Sequence, residues 1–179
     1  LSLHDALPIS GKKDWSAETG YYINGGAAIG DGKVVFGGCD SVLHVHDVKT
    51  GKEEKQIEVG AYIGNNVAIA DGVIYVSHYG NRVGAYSISD GMQVWEYGER
   101  EFEYYAAPAI WEKAVYVGGR DKRFHAIDRV SGKQLWEFRA RDRIDSSMRR
   151  TSGCTMIGSA GLSAALTPDS ERIWMRSFA

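Results

Sequence analysis

The stretch "VYVGGRDKRFHAIDRVSGKQLWEF", residues 115–138, holds three short runs of β-branched, aromatic and other apolar residues separated by polar segments rich in Gly, Asp and Ser. Runs this short, bounded by turn-forming residues, read as antiparallel strands rather than helices. The last of them carries Trp136, four residues past Gly132.

The same pattern recurs upstream. Gly51, Gly91 and Gly132 follow Thr50, Asp90 and Ser131 at spacings of 40 and 41 residues. Four residues beyond each Gly stand Lys55, Trp95 and Trp136; Trp15 keeps that offset from Gly11, and Trp174 ends a fifth copy. The register extends backwards without gaps through Ile29, Ile69 and Ile110, then Val35, Tyr75 and Tyr116, then Val45, Ala85 and Ala126. A period near 40 with four short strands per unit is the signature of a β-propeller blade. The fold class is therefore all-β, a partial β-propeller of four-stranded antiparallel blades.

The third copy divides into an innermost strand over 106–112, a second over 114–119, a third over 123–128 and an outermost over 134–140. Asp31-Gly32 and Asp71-Gly72 follow the first strand in the earlier copies, and a Gly precedes the fourth strand in each, where tight hairpins require positive φ. Residues 27–66, 67–107 and 108–147 are expected to be blades, 11–26 the end of a preceding blade, and 148–179 a degenerate or damaged one, because the turn Gly is lost there.

Composition agrees with this reading: 44% hydrophobic residues, 22 Gly, only 3 Pro, 10 Tyr and 5 Trp. A formal net charge of -2 gives no electrostatic case for nucleic acid. The basic cluster Arg139, Arg141, Arg143, Arg149 and Arg150 is interrupted by Asp142 and Asp145 and reads as a solvated loop. No apolar run approaches the roughly 20 residues of a membrane-spanning helix. Cys39 and Cys154 form neither a zinc pattern nor a disulfide framework, and leave the redox compartment open.

"AIDRVSGKQLW", residues 126–136, resembles the Ala-x-Asp-x-x-Thr-Gly-Lys-x-x-Trp motif of the pyrroloquinoline quinone (PQQ) propeller family, with Ser131 in place of Thr. "VHDVKTGKEEK", residues 45–55, keeps Asp47, Thr50, Gly51 and Lys52; "AYSISDGMQVW", residues 85–95, keeps Ala85, Gly91 and Trp95. The motif residues Ala85, Gly91, Trp95, Ala126, Asp128, Gly132 and Trp136 are read as structural. The Ala clears room for a neighbouring blade, the Trp fills the space between blades, and the Asp with Thr or Ser fixes the turn.

Two functions follow from this resemblance: a non-catalytic protein-binding scaffold outside the cytoplasm, similar in fold to the outer-membrane β-barrel assembly lipoprotein, or a quinoprotein dehydrogenase. The resemblance implies a periplasmic or otherwise extracytoplasmic setting for the parent in either case. Catalytic family members bind PQQ and calcium, use an Asp base and, in the alcohol dehydrogenases, carry adjacent disulfide-bonded cysteines. No Cys-Cys pair stands in this chain, and no position matches the calcium ligands or the base. No catalytic residue is assigned; PQQ and calcium remain possible cofactors of a longer parent, and a protein partner is expected.

The segments that lead into each innermost strand would lie at the mouth of the propeller channel, where Asn24, Asn65, Asn66, Tyr104, Tyr105 and Asp145 are candidate contacts for a partner or small ligand. The alternative is that Asn serves the turns and Tyr packs. His44 and His46 lie two apart on a strand and share a face, which permits a metal pair. Their counterparts, Gly84 with Tyr86 and His125 with Ile127, favour ordinary packing, and no metal is assigned.

The first nine residues, "LSLHDALPI", resemble a translated sequencing-library adaptor, so residues 1–10 are set aside and the chain is expected to be a fragment. An incomplete propeller exposes sheet edges and blade faces, and is expected to aggregate or dimerise on its own. A monodisperse monomer with a cooperative thermal transition would overturn that expectation.

Overall fold

The computed structural model describes residues 13–98, 101–145, 147, 155–158, 162–166 and 173–177. Among the described residues, fifteen strands form four antiparallel sheets, each ordered as the chain runs, and helices are absent. The first blade is β1 (Ala28–Gly30), β2 (Lys33–Gly37), β3 (Val42–Asp47) and β4 (Glu53–Glu58). The second is β5 (Ala68–Ala70), β6 (Val73–His78), β7 (Arg82–Ser87) and β8 (Gln93–Tyr97). The third is β9 (Ala109–Trp111), β10 (Ala114–Gly118), β11 (Arg123–Asp128) and β12 (Gln134–Arg139).

A three-stranded sheet follows, of β13 (Thr155–Gly158), β14 (Leu162–Leu166) and β15 (Ile173–Ser177). Of the segment read as a degenerate blade, these strands are described and the remainder, including Arg149, Arg150 and Cys154, lies outside the described residues. The innermost strand β9 is shorter than the 106–112 expected from sequence, because Pro108 has no N–H for the ladder and pairing begins just after it.

Strand alternation sends neighbouring side chains into two different cores, one on each side of a blade. Val35, Leu43, Val45 and Ile57 of the first blade meet Ile74, Val76 and Tyr86 of the second. Tyr75, Val83, Ala85 and Trp95, on the second blade's other face, meet Val115, Val117 and Ile127 of the third. Ala114, Tyr116, Phe124 and Ala126 form a further cluster with Ile144. The second blade is covered by a neighbour on both faces, and the apolar second and third strands of the repeat suit burial on both sides.

The turns explain the repeated Gly and Asp. Asp31 and Gly32 have φ of 51° and 73°, as do Asp71 and Gly72, giving the two positive values of a type I′ hairpin. In the turn before β4, Asp47 Oδ1 accepts the Lys49 and Thr50 N–H groups and the Thr50 hydroxyl, and Asp128 does the same for Val130 and Ser131. Each turn closes on a Gly at positive φ: Gly51 at 69°, Gly91 at 77°, Gly132 at 70°.

These glycines also face the preceding blade. The Trp95 ring lies against Gly132 so closely that a Cβ there would stand 2.7 Å from it, and its Nε1 donates to Arg129 O at 2.9 Å. Trp15 lies against Gly51 and donates to Val48 O at 3.2 Å. At the middle junction Lys55 occupies the tryptophan position, and its Nζ donates to Ser89 O at 2.8 Å. Within their own blades Ala85 and Ala126 are the register partners of Trp95 and Trp136, so the small residue sits directly across the strand pair from the large one. One residue on, each outer strand carries a β-bulge, between Val45/His46, Ala85/Tyr86 and Ala126/Ile127 on the facing strand.

Two outcomes follow. Alanine at Gly91 meets only the flexible Lys55 and Ile57 side chains, at 3.2 Å and beyond, so Gly91→Ala is expected to cost the positive-φ penalty of about 1–2 kcal/mol. Gly132→Ala adds an overlap with the indole and is expected to cost about 3 kcal/mol or more in urea unfolding; equal losses would refute the indole-to-glycine account. Backbone and hydroxyl donors from Thr50 and Ser131 hold the Asp47 and Asp128 carboxyls below their ordinary pKa. Their stabilisation is fully present above the ordinary carboxylate pKa of about 3.9 and is lost as pH falls through the lowered folded values. The double variant Asp47→Asn, Asp128→Asn should flatten the fall in melting temperature below about pH 4, measured across an acid series.

Candidate functional site

The lead-in to each innermost strand and the hairpin between the second and third strands lie at the same end of a blade. Backbone bonds join them in register: Cys39 N to Tyr22 O, Tyr79 N to Tyr62 O and Arg120 N to Glu103 O, each at 3.0 Å. This end is where the six sequence candidates fall, and the structure separates them.

Asn65 is buried and its Nδ2 donates to Ser77 O and Oγ, while Ser77 Oγ donates to Ala106 O at 2.6 Å. Asn66 is exposed, and its Oδ1 accepts from Gly26 N at 2.6 Å. Ser147, forty residues after Ala107, accepts from Ala107 N in the same manner. These polar side chains stitch each lead-in segment to its counterpart in the next blade. Tyr104 is 1% exposed and packs edge-on against His125 beside Tyr97. Asn24 is exposed and donates to the sulfur of the free, half-buried Cys39 at 3.0 Å.

Tyr105 and Asp145 are brought together by a residue the sequence reading passed over. Arg120 lies over the Tyr105 ring, 3.8 Å from its centroid, and pairs with Asp145 through Nε and Nη2 at 3.0 and 3.2 Å and with Glu103 at 3.2 Å. Bonding to Asp145 raises the Arg120 pKa, so the guanidinium is a fixed charge. Burial and then the hydrogen bond with Glu103 raise the Tyr105 phenol. Tyr79 packs against Tyr105 with ring centroids 4.8 Å apart. The signal available in the sequence was only that Arg120 opens a hairpin loop, where function often sits.

Around this cluster the same end of the blades is lined with exposed aromatics. Tyr21, Tyr22 and Tyr62 are 66%, 81% and 56% exposed, and Tyr79 and Phe102 about half. Tyr62 and Tyr79 flank an open groove with Ser41, Gly60, Ala61 and Gly80.

His44 and His46 lie elsewhere, on β3 beneath the outer strand β4, and are buried. Burial works against a charged His44 ring, but its bonds to Glu53 and Asp40 outweigh it and hold the pKa above the ordinary value. The same bond to His44 lowers the pKa of Glu53.

Comparison with known proteins accords with this geometry. BamB from Moraxella catarrhalis has a similar structure, with a TM-score of 0.75 and 22% identity over 90% of this chain and 55% of that one. A computationally designed protein, Ika4, matches with a TM-score of 0.71 and 15% identity, over 94% of this chain and 99% of its own. Quinohemoprotein alcohol dehydrogenase ADH IIB of Pseudomonas putida is 31% identical over an alignment of 104 residues that takes in 50% of this chain and 15% of the enzyme. The chain thus spans a small part of that curated relative and about half of the Moraxella protein. The family described as outer membrane protein assembly factor BamB matches residues 3–152, and the chain, a PQQ-like repeat protein, belongs to that family.

Proposed function

We propose that the chain is a non-catalytic protein-binding scaffold, and that its partner sits on the end of the blades that carries the exposed aromatics. The carrying observation is the band of Tyr21, Tyr22, Tyr62, Tyr79 and Phe102, exposed on one end of successive blades beside the Tyr105–Arg120 cluster. A monomer's surface seldom gathers large aromatics, and Tyr and Arg are the residues that most often dominate protein–protein interfaces. The family's description, an outer membrane protein assembly factor, supports a partner among the proteins of that assembly and a setting outside the cytoplasm.

The alternative is a PQQ- and calcium-dependent dehydrogenase, supported by the 31% identity to ADH IIB. Calcium takes six to eight oxygen ligands drawn from carboxylates, carbonyls and water. Among the described residues at this end, Glu103 and Asp145 are engaged by Arg120, and Asn66 Oδ1 by Gly26 N. That these groups are already engaged with one another supports the scaffold reading.

Two measurements separate the readings. The triple variant Tyr22→Ser, Tyr62→Ser, Tyr79→Ser should keep its fold and weaken capture of the outer-membrane assembly partner from detergent extracts by at least about tenfold. Titration with PQQ and calcium should give no saturable binding and no dye-linked alcohol oxidation. Saturable quinone binding with turnover, and partner capture indifferent to the three tyrosines, would replace the scaffold reading with the enzyme.

A further inference from the structure

On the two outer strands of the first blade three potential metal ligands converge. His44 and His46 point the same way from β3, and the β-bulge sets Glu53 of β4 directly opposite His46. His44 Nδ1 is 2.8 Å from Glu53 Oε1, His46 Nε2 is 3.7 Å from it, and the ligand atoms all lie within 4.8 Å of one another. Ligand atoms about a tetrahedral zinc stand roughly 3.3 Å apart, given bonds near 2.0–2.1 Å, so the three span the right range.

The surroundings are those of a site already aimed. His46 Nδ1 faces Gly51 O at 3.0 Å, an acceptor only, so the proton of the neutral ring belongs on Nδ1 and the lone pair on Nε2. That Nε2 is buried and has no hydrogen-bond partner, although the residue is only 4% exposed. That lone pair stands 3.7 Å from Glu53 Oε1, the oxygen that His44 Nδ1 also bonds, so a divalent cation would take the place of the His44 Nδ1 proton and bond all three groups. Outside the ligands, Asp40 holds His44 Nε2 at 2.9 Å and Gln56 Nε2 donates to Glu53 Oε2 at 2.9 Å. Outer partners of this kind orient metal-bound imidazole and carboxylate.

The neighbouring blades act as internal controls. The positions of His46 and Glu53 are taken by Tyr86 and Gln93 in the second blade, and by Ile127 and Gln134 in the third, each pair again facing across the bulge. The repeat architecture therefore does not require the His46–Glu53 pair.

We propose that His44 Nδ1, His46 Nε2 and the Glu53 carboxylate form a binding site for one divalent first-row transition ion of the zinc class. Two imidazoles exclude the hard calcium and magnesium ions as the preferred occupants. Glu53 is half exposed at the rim, which gives an ion a route from solvent and leaves a coordination position open. The Trp15 ring, stacked 5.9 Å from His46, covers the inner side.

The test is titration of the untagged protein with Zn(II) against a chromophoric chelator, with Co(II) as a spectroscopic probe of nitrogen and oxygen ligation. One ion should bind per chain, and Co(II) should show ligand-field bands of a low-coordinate site. Glu53→Gln, at a partly exposed position, and His46→Gln should each weaken binding by more than about tenfold. Glu54→Gln, one residue away, should leave it unchanged. Failure to bind saturably, or binding that Glu53→Gln and His46→Gln leave untouched, would overturn the proposal. Circular dichroism of each variant distinguishes lost ligands from lost structure.

Discussion

Each blade presents two apolar faces, and neither is stable in water unless another blade covers it. The contact that makes this possible is a flat side chain from one blade lying on a glycine of the next. Gly132 meets two demands at once: a φ of 70° that closes its turn, and the absence of a Cβ where the Trp95 ring rests. A tryptophan contributes roughly 150–250 Å² of buried surface, and its N–H fixes the ring by bonding a carbonyl of that same turn. At the middle junction Lys55 keeps the donor and gives up the area. There the adjoining core is built from Ile57, Ile63, Ile74 and Tyr86, so aliphatic packing stands in for the missing indole.

A second constraint acts at the end of the blades where the lead-in segments run. Backbone donors there sit at the edges of three-residue innermost strands, too short to satisfy them all. Asn66 and Ser147 accept from the blade before, and the Asn65–Ser77–Ala106 chain ties the second blade to the third. Polar side chains that resemble ligand contacts in sequence are thereby consumed by closure. What remains outward is aromatic, because Tyr21, Tyr22 and Tyr62 project from segments whose polar groups are already occupied by one another.

This division explains what could be read from the sequence. The 40-residue register carried the fold, since Gly, Trp and Asp recur where hairpin geometry and blade contact demand them. The ends of strands were less legible: β9 starts late because of Pro108. At the candidate site, Asn65 and Tyr104 are buried in packing, and only Tyr105 and Asp145 meet, through Arg120. Nothing in the spacing of 105, 120 and 145 announces that meeting, because it depends on how a hairpin of one blade leans on two lead-in segments. Glu53 was invisible for a related reason. It reaches His46 only because a bulge shifts the outer strand by one residue.

Repetition within one chain offers a way to separate architecture from anything added to it. Asp40 with His44 and Asp121 with His125 bind their own hairpins in the first and third blades. In the second blade both positions are Gly, Gly80 and Gly84, and the Tyr86 ring fills the space a Gly84 side chain would take. Asp and His thus come and go together, as expected of a pair whose role is to hold a loop. His46 and Glu53 have no such counterpart in either of the other blades, and they leave a buried nitrogen without a partner. His78 Nε2 in the second blade is also buried without a hydrogen-bond partner, but at His46 the buried nitrogen stands 3.7 Å from a carboxylate oxygen, and a cation between the two would meet the cost of burying it. The rim of the first blade therefore departs from the repeat in its chemistry, whereas its core and turns follow it.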